Sequence, residues 1–81
     1  MKKTKYIVFV DYNGLEYIII FPEGLTHKEV ADKFDNVIRA GFCEIFYEGT
    51  DIRYHCYGRS QSLGLDSNVE KDSYLLERLF K

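Results

Sequence analysis

Residues 5–21, KYIVFVDYNGLEYIIIF, place two β-branched and aromatic runs on either side of Asn13-Gly14. A polar Asn-Gly pair between such runs is a strong short-range hairpin signal, since a type I′ turn needs positive φ at both central positions. That turn pairs Tyr12 with Leu15, Asp11 with Glu16, Val10 with Tyr17, Phe9 with Ile18 and Val8 with Ile19. Pro22 lacks the N–H a ladder needs and ends the second strand. Thr26-His27-Lys28-Glu29 has the capping-box form, so a helix begins at His27 and runs to about Asp35-Asn36. Val30, Ala31, Phe34 and Val37 share its apolar face, with His27 in the middle of that face.

Residues 37–47 and 52–58 repeat the strand pattern around Glu48-Gly49-Thr50-Asp51, where Gly49-Thr50 fits a two-residue type II′ turn. Cys43 then lies opposite Cys56. Ser67-Asn68-Val69-Glu70 reads as a second capping box. Beyond it Val69, Ser73, Leu75, Leu76, Leu79 and Phe80 fall on one arc, with Glu70, Lys71, Glu77 and Arg78 on the other side.

The order is ββαββα, an α+β single domain spanning 1–81. Helices that follow hairpins need a sheet to cover, so the expected architecture is a four-stranded antiparallel sheet with two helices on one face. The aliphatic side of the first hairpin (Ile7, Phe9, Ile18, Ile20) and the charge-free side of the second (Cys43, Ile45, Tyr47, Ile52, Tyr54, Cys56) are assigned to the covered face. The outer face then carries Tyr6, Tyr17, Phe21, Phe42, Phe46 and Tyr57, with Arg53 and His55 among them. That is too apolar for a surface meant only for water.

Composition sharpens this picture in two ways. Seven Tyr and six Phe in 81 residues, with no Trp, are an aromatic excess that two short helices cannot hide. A net charge of −2 offers no general attraction to phosphate backbones. The basic Lys2, Lys3 and Lys5 precede an apolar run too short for a signal peptide or a membrane span. The chain therefore reads as soluble and cytoplasmic, with no membrane association.

No nucleophile stands with an acid/base pair, so no catalytic residue is assigned. Cys43 and Cys56 form no zinc pattern, and His55 and Cys56 point to opposite sides of a strand; no metal or cofactor is expected. The two thiols are expected buried and reduced. His27 is read as a packing or capping histidine rather than a general base, because the helix dipole in the first turn favours its neutral form. The stretch CYGRSQSLGL (56–65) lacks both the Walker A and the G-x-G-x-x-G spacing. Arg59, Ser60 and Ser62 remain candidates for an anion site, the alternative being a connection whose glycines serve turns.

Ile20-Phe21-Pro22, His27 with Val30-Ala31, Ala40-Gly41-Phe42, and Cys56-Tyr57-Gly58 with Ser60 and Ser62-Leu63-Gly64-Leu65 resemble short pieces of small bacteriophage and prophage proteins. These pieces are scattered over most of the chain. The resemblance implies no activity; it implies an accessory protein in the host cytoplasm that binds and modulates a host or phage protein, as anti-CRISPR proteins do. The expected function is a non-enzymatic protein-interaction module whose partner site is Tyr6, Tyr17, Phe42, Phe46, Arg53, His55 and Tyr57, with a homodimer as the simplest complex. Two other readings stand beside it: a single-stranded nucleic-acid-binding sheet, disfavoured by charge, and a small enzyme or ligand-binding protein using the 58–65 loop.

Overall fold

The computed structural model describes residues 3–80; Lys2, one of the basic residues noted above, lies outside them. In chain order the elements are β1 (Thr4–Val10), β2 (Glu16–Pro22), α1 (His27–Ala31), β3 (Val37–Glu48), β4 (Asp51–Tyr57), β5 (Arg59–Ser60), β6 (Leu65–Asp66) and α2 (Val69–Leu79). The architecture is α+β, with one antiparallel four-stranded sheet in the order β2-β1-β3-β4 and two helices. The element order departs from ββαββα because residues 59–66 close into a small two-stranded ribbon, β5-β6.

The second hairpin has the register its turn dictates, with Cys43 opposite Cys56 and Phe46 opposite Arg53. Gly49 has φ +66° while Thr50 stays at negative φ, which is the type II′ pattern. The first hairpin is shifted by one residue from expectation: Val10 faces Glu16, Phe9 faces Tyr17, and Tyr6 faces Ile20. Only Gly14 takes positive φ there. The Asp11 carboxylate accepts from the amides of Asn13 and Leu15 at 2.9 and 3.0 Å, and so holds a three-residue loop in place of the two-residue turn.

A one-residue shift turns one strand over relative to the other. Tyr6 and Val8 join Ile18, Cys43, Cys56 and Leu76 in one core, while Ile7 joins Phe21 and Ala40 in a second. Leu75 and Leu76 of α2 pack in the first core and Val30 of α1 in the second. Neighbouring residues of β1 point to opposite faces, so the two helices cover opposite faces of the sheet rather than one.

Both helix starts are capped. At α1, Thr26 Oγ1 accepts from the Glu29 amide and Glu29 accepts from the Thr26 amide, each at 3.1 Å. That helix is only five residues long. The amides of Lys33 and Phe34 bond three residues back, to Val30 and Ala31, tightening the chain before Asn36 turns it at φ +57°. At α2 the cap is Asn68, one residue later than expected, because the Ser67 hydroxyl donates to the Gly58 carbonyl instead.

Candidate functional site

The sequence-predicted partner residues separate into three places. Tyr6 is in the core, fully buried, with its hydroxyl donating to Asp72 at 2.5 Å. It is no surface residue, the register shift having moved it inward, and Phe21 of the expected outer face is likewise buried. Tyr17 is exposed on β2, where its ring stacks on Phe9 at 5.4 Å and its hydroxyl donates to Asp11. Its neighbour Phe9 pairs with Val37, nine residues of β3 away from Phe46, or on the order of 30 Å along a strand.

The remaining five, Phe42, Phe46, Arg53, His55 and Tyr57, do come together on one face of β3 and β4. Tyr57 stacks on Phe42 at 6.0 Å and on His55 at 5.5 Å, and donates its hydroxyl to Glu44 at 3.3 Å. Desolvation, and then the Glu44 charge, push the Tyr57 phenol above its ordinary pKa, so it remains a donor. Arg53 is exposed, 3.6 Å from Glu48 and 3.9 Å from Asp51. Among the described residues the pairing of β1 with β3 ends at Thr4 opposite Cys43, so residues 44–48 and their β4 partners form a two-stranded arm beyond it. On the arm's other face Tyr47 is 74% and Ile52 47% exposed.

The 58–65 segment is more than a connection. Ser60 is buried, its Oγ accepts from the Leu63 amide and shares a hydrogen bond with Ser62 Oγ, both at 3.3 Å. Leu63 and Leu65 pack into the second core. The fold sets this ribbon beside β1, α1 and β3, leaving a cleft of about 330 Å³ lined by Lys5, Thr26, His27, Phe42, Arg59, Ser60, Gln61 and Ser62. His27 lies edge-on to Phe21 and Phe42, with its Nε2 2.8 Å from the Gly41 carbonyl. Burial lowers its pKa below that of a free imidazole, only partly offset by the Gly41 bond and reinforced by Lys5. The ring is therefore neutral, with Nε2–H donating and Nδ1 unprotonated.

The two thiols are free, buried and directly opposed. The neighbouring Cys43 thiol, and then burial, push Cys56 above the ordinary thiol pKa, and Thr4 Oγ1 lies 3.0 Å from Cys43 Sγ. Sequence reasoning missed a buried polar cluster. Asp72, fully buried in α2, accepts from Tyr6, from Arg39 Nε at 2.7 Å and from the Asn68 amide at 2.9 Å. Arg39 also pairs with Glu16, which takes Lys71 Nζ at 3.0 Å. Burial opposes the Arg39 charge, but its bonds to Glu16 and Asp72 outweigh that and raise its pKa. The signal was there: Asp72 sits four residues before Leu76 on the packing face, and Arg39 is a lone cation in an apolar strand. Among the described residues no buried side-chain N or O lacks a hydrogen bond, so the cluster is fully satisfied.

Among the described residues no group of three or more His, Cys, Asp or Glu is placed to hold a metal, and no helix is long and apolar enough to cross a membrane. Comparison with protein-family models, with curated proteins and with solved structures finds no match.

Proposed function

We propose that the protein is a non-enzymatic protein-interaction module working through the β3-β4 arm, with Phe42, Phe46, Arg53, His55 and Tyr57 as its contact face. One observation carries this reading: beyond Cys43 the two strands pair, among the described residues, with each other alone, so Phe46, Arg53 and His55 stand past the end of β1 while Phe42 and Tyr57 continue the same face back into the sheet. Aromatic rings around an arginine are the composition of binding hot spots. Burying a large aromatic contributes roughly 2 kcal/mol, a sizeable gain for a domain this small. The resemblance to small phage proteins makes a host or phage protein the partner to seek. A second copy is the simplest occupant, since the face carries Glu44 as well as Arg53 and a two-fold contact sets one against the other.

Light scattering at micromolar concentration, together with affinity capture from host lysate with and without nuclease, tests the proposal. Phe46→Asp is expected to abolish dimer formation or capture of the identified partner while leaving the circular dichroism spectrum unchanged. Equal self-association and capture by Phe46→Asp and wild type overturns the assignment. Capture that vanishes after nuclease treatment replaces it with single-stranded nucleic-acid binding.

A further inference from the structure

We propose that the cleft between the β5-β6 ribbon and the start of α1 binds a small organic phosphate, with Lys5 and Arg59 neutralising the phosphate and Phe42 lining the side taken by its organic part. This site shares Phe42 with the proposed protein contact face but does not depend on that reading.

The cleft holds more donors than its own acceptors consume. Lys5 Nζ spends one of three N–H groups on the Leu25 carbonyl at 2.9 Å. Arg59 meets the exposed Asp66 through Nε at 3.7 Å, longer than a hydrogen bond, which leaves its terminal N–H groups for a ligand. Ser60 and Ser62 share one hydrogen bond, and one of their two hydroxyl protons stays unused. Against these, the lining itself offers only neutral acceptors, and the neighbouring carboxylates, Asp66 at Arg59 and Glu29 near Lys5, lie outside it.

Excess donors and two cations call for an anion, and two positive charges match the near-dianionic charge and three acceptor oxygens of a phosphomonoester better than a single carboxylate. Lys3 Nζ, 5.0 Å from the centre of the Phe42 ring, adds positive potential at that wall. A volume of about 330 Å³ far exceeds what one bare anion fills and is at the lower end of small-molecule sites. The ligand therefore carries a small apolar part, for which Phe42 is the surface.

Titration of the isotope-labelled protein at low salt, followed by amide chemical shifts, tests this with three probes: phenyl phosphate, inorganic phosphate and benzoate. Phenyl phosphate is expected to bind with a Kd below about 1 mM, shifting residues 58–65 and Thr26, and to bind more tightly than either other probe. The double variant Lys5→Gln/Arg59→Gln should weaken it at least about tenfold, as loss of two charge-assisted contacts requires. If that variant does not fold, Arg59→Gln alone should weaken binding. Absence of saturable shifts, shifts confined to other regions, or unchanged affinity in the variant that folds overturns the proposal. Benzoate binding as tightly as phenyl phosphate overturns the phosphate assignment, and inorganic phosphate doing so overturns the organic part.

Discussion

Asp72 joins three parts of the chain at one carboxylate: the Tyr6 hydroxyl from β1, the Arg39 guanidinium from β3 and the first turn of its own helix. A buried charge held this way is strongly destabilising when one partner is removed, because the other partner stays behind without compensation. Asp72→Ala should cost about 3–5 kcal/mol by that mechanism, enough to threaten the whole fold. Tyr6→Phe, which leaves the Arg39 pair intact, should cost less, about 1.5–3 kcal/mol for the loss of a hydrogen bond to a charged group. Urea denaturation followed by circular dichroism measures both. Equal losses for the two substitutions would mean that the charge pair contributes nothing beyond one hydrogen bond.

At the scale of elements, the turn chemistry decides what was readable. Gly49-Thr50 admits one two-residue turn, so the register of β3 and β4, the opposed cysteines and the shared face of Phe42, Phe46, Arg53, His55 and Tyr57 follow from sequence. Asn13-Gly14 serves two loops equally well, and the choice falls to Asp11, whose side chain captures two amides of the longer one. That local contest exchanged Tyr6 and Val8 for Ile7 and Phe9, a swap no hydrophobicity pattern opposes because all four are apolar or aromatic. The donor-rich cleft was legible only in its ribbon half, Arg59, Ser60 and Ser62; Lys5, Thr26 and His27 arrive from distant positions through sheet pairing. Helix α2 also finishes the edge of β4: the Cys56 amide, which points out of the ladder at a non-hydrogen-bonded pair, donates to Ser73 Oγ at 2.9 Å. Its orientation depends on the Asn68 cap, whose Oδ1 takes the Lys71 amide at 3.1 Å. Asn68→Ala should therefore lower stability by about 1 kcal/mol and Asn68→Gly by less. A midpoint for Asn68→Ala matching wild type in a denaturant series would show that Asp72 alone anchors this helix start.

For the molecule as a whole, the shifted groups set a two-stage response to acid. His27 has a lowered pKa when folded, so below about pH 6.5 the unfolded chain binds its proton first and stability falls with pH. Glu16 is held below the carboxylate range by its Arg39 bond, against burial and with help from Lys71, and Glu29 by the Thr26 amide. Their contribution is present above about pH 4.3 and is lost as pH falls through their folded pKa values. Urea midpoints measured from pH 8 to pH 3 should show both declines, and His27→Gln should remove the first. A wild-type profile flat between pH 7 and pH 5 would place the His27 proton equilibrium outside the folding reaction.

The Tyr6 to Asp72 bond spans 66 residues, and Lys71 reaches Glu16 across 55. A chain growing from its first residue can close the β1-β2 hairpin early, but Arg39 and Tyr6 emerge long before the carboxylate that completes them. Until residue 72 has been made, the first core is an apolar sheet surface whose Arg39 has Glu16 but not Asp72 to meet it, and the helix that covers this side is not yet in place. Maturation is thus governed by the last helix, and a chaperone that shields this surface has most to offer in the interval before that helix appears.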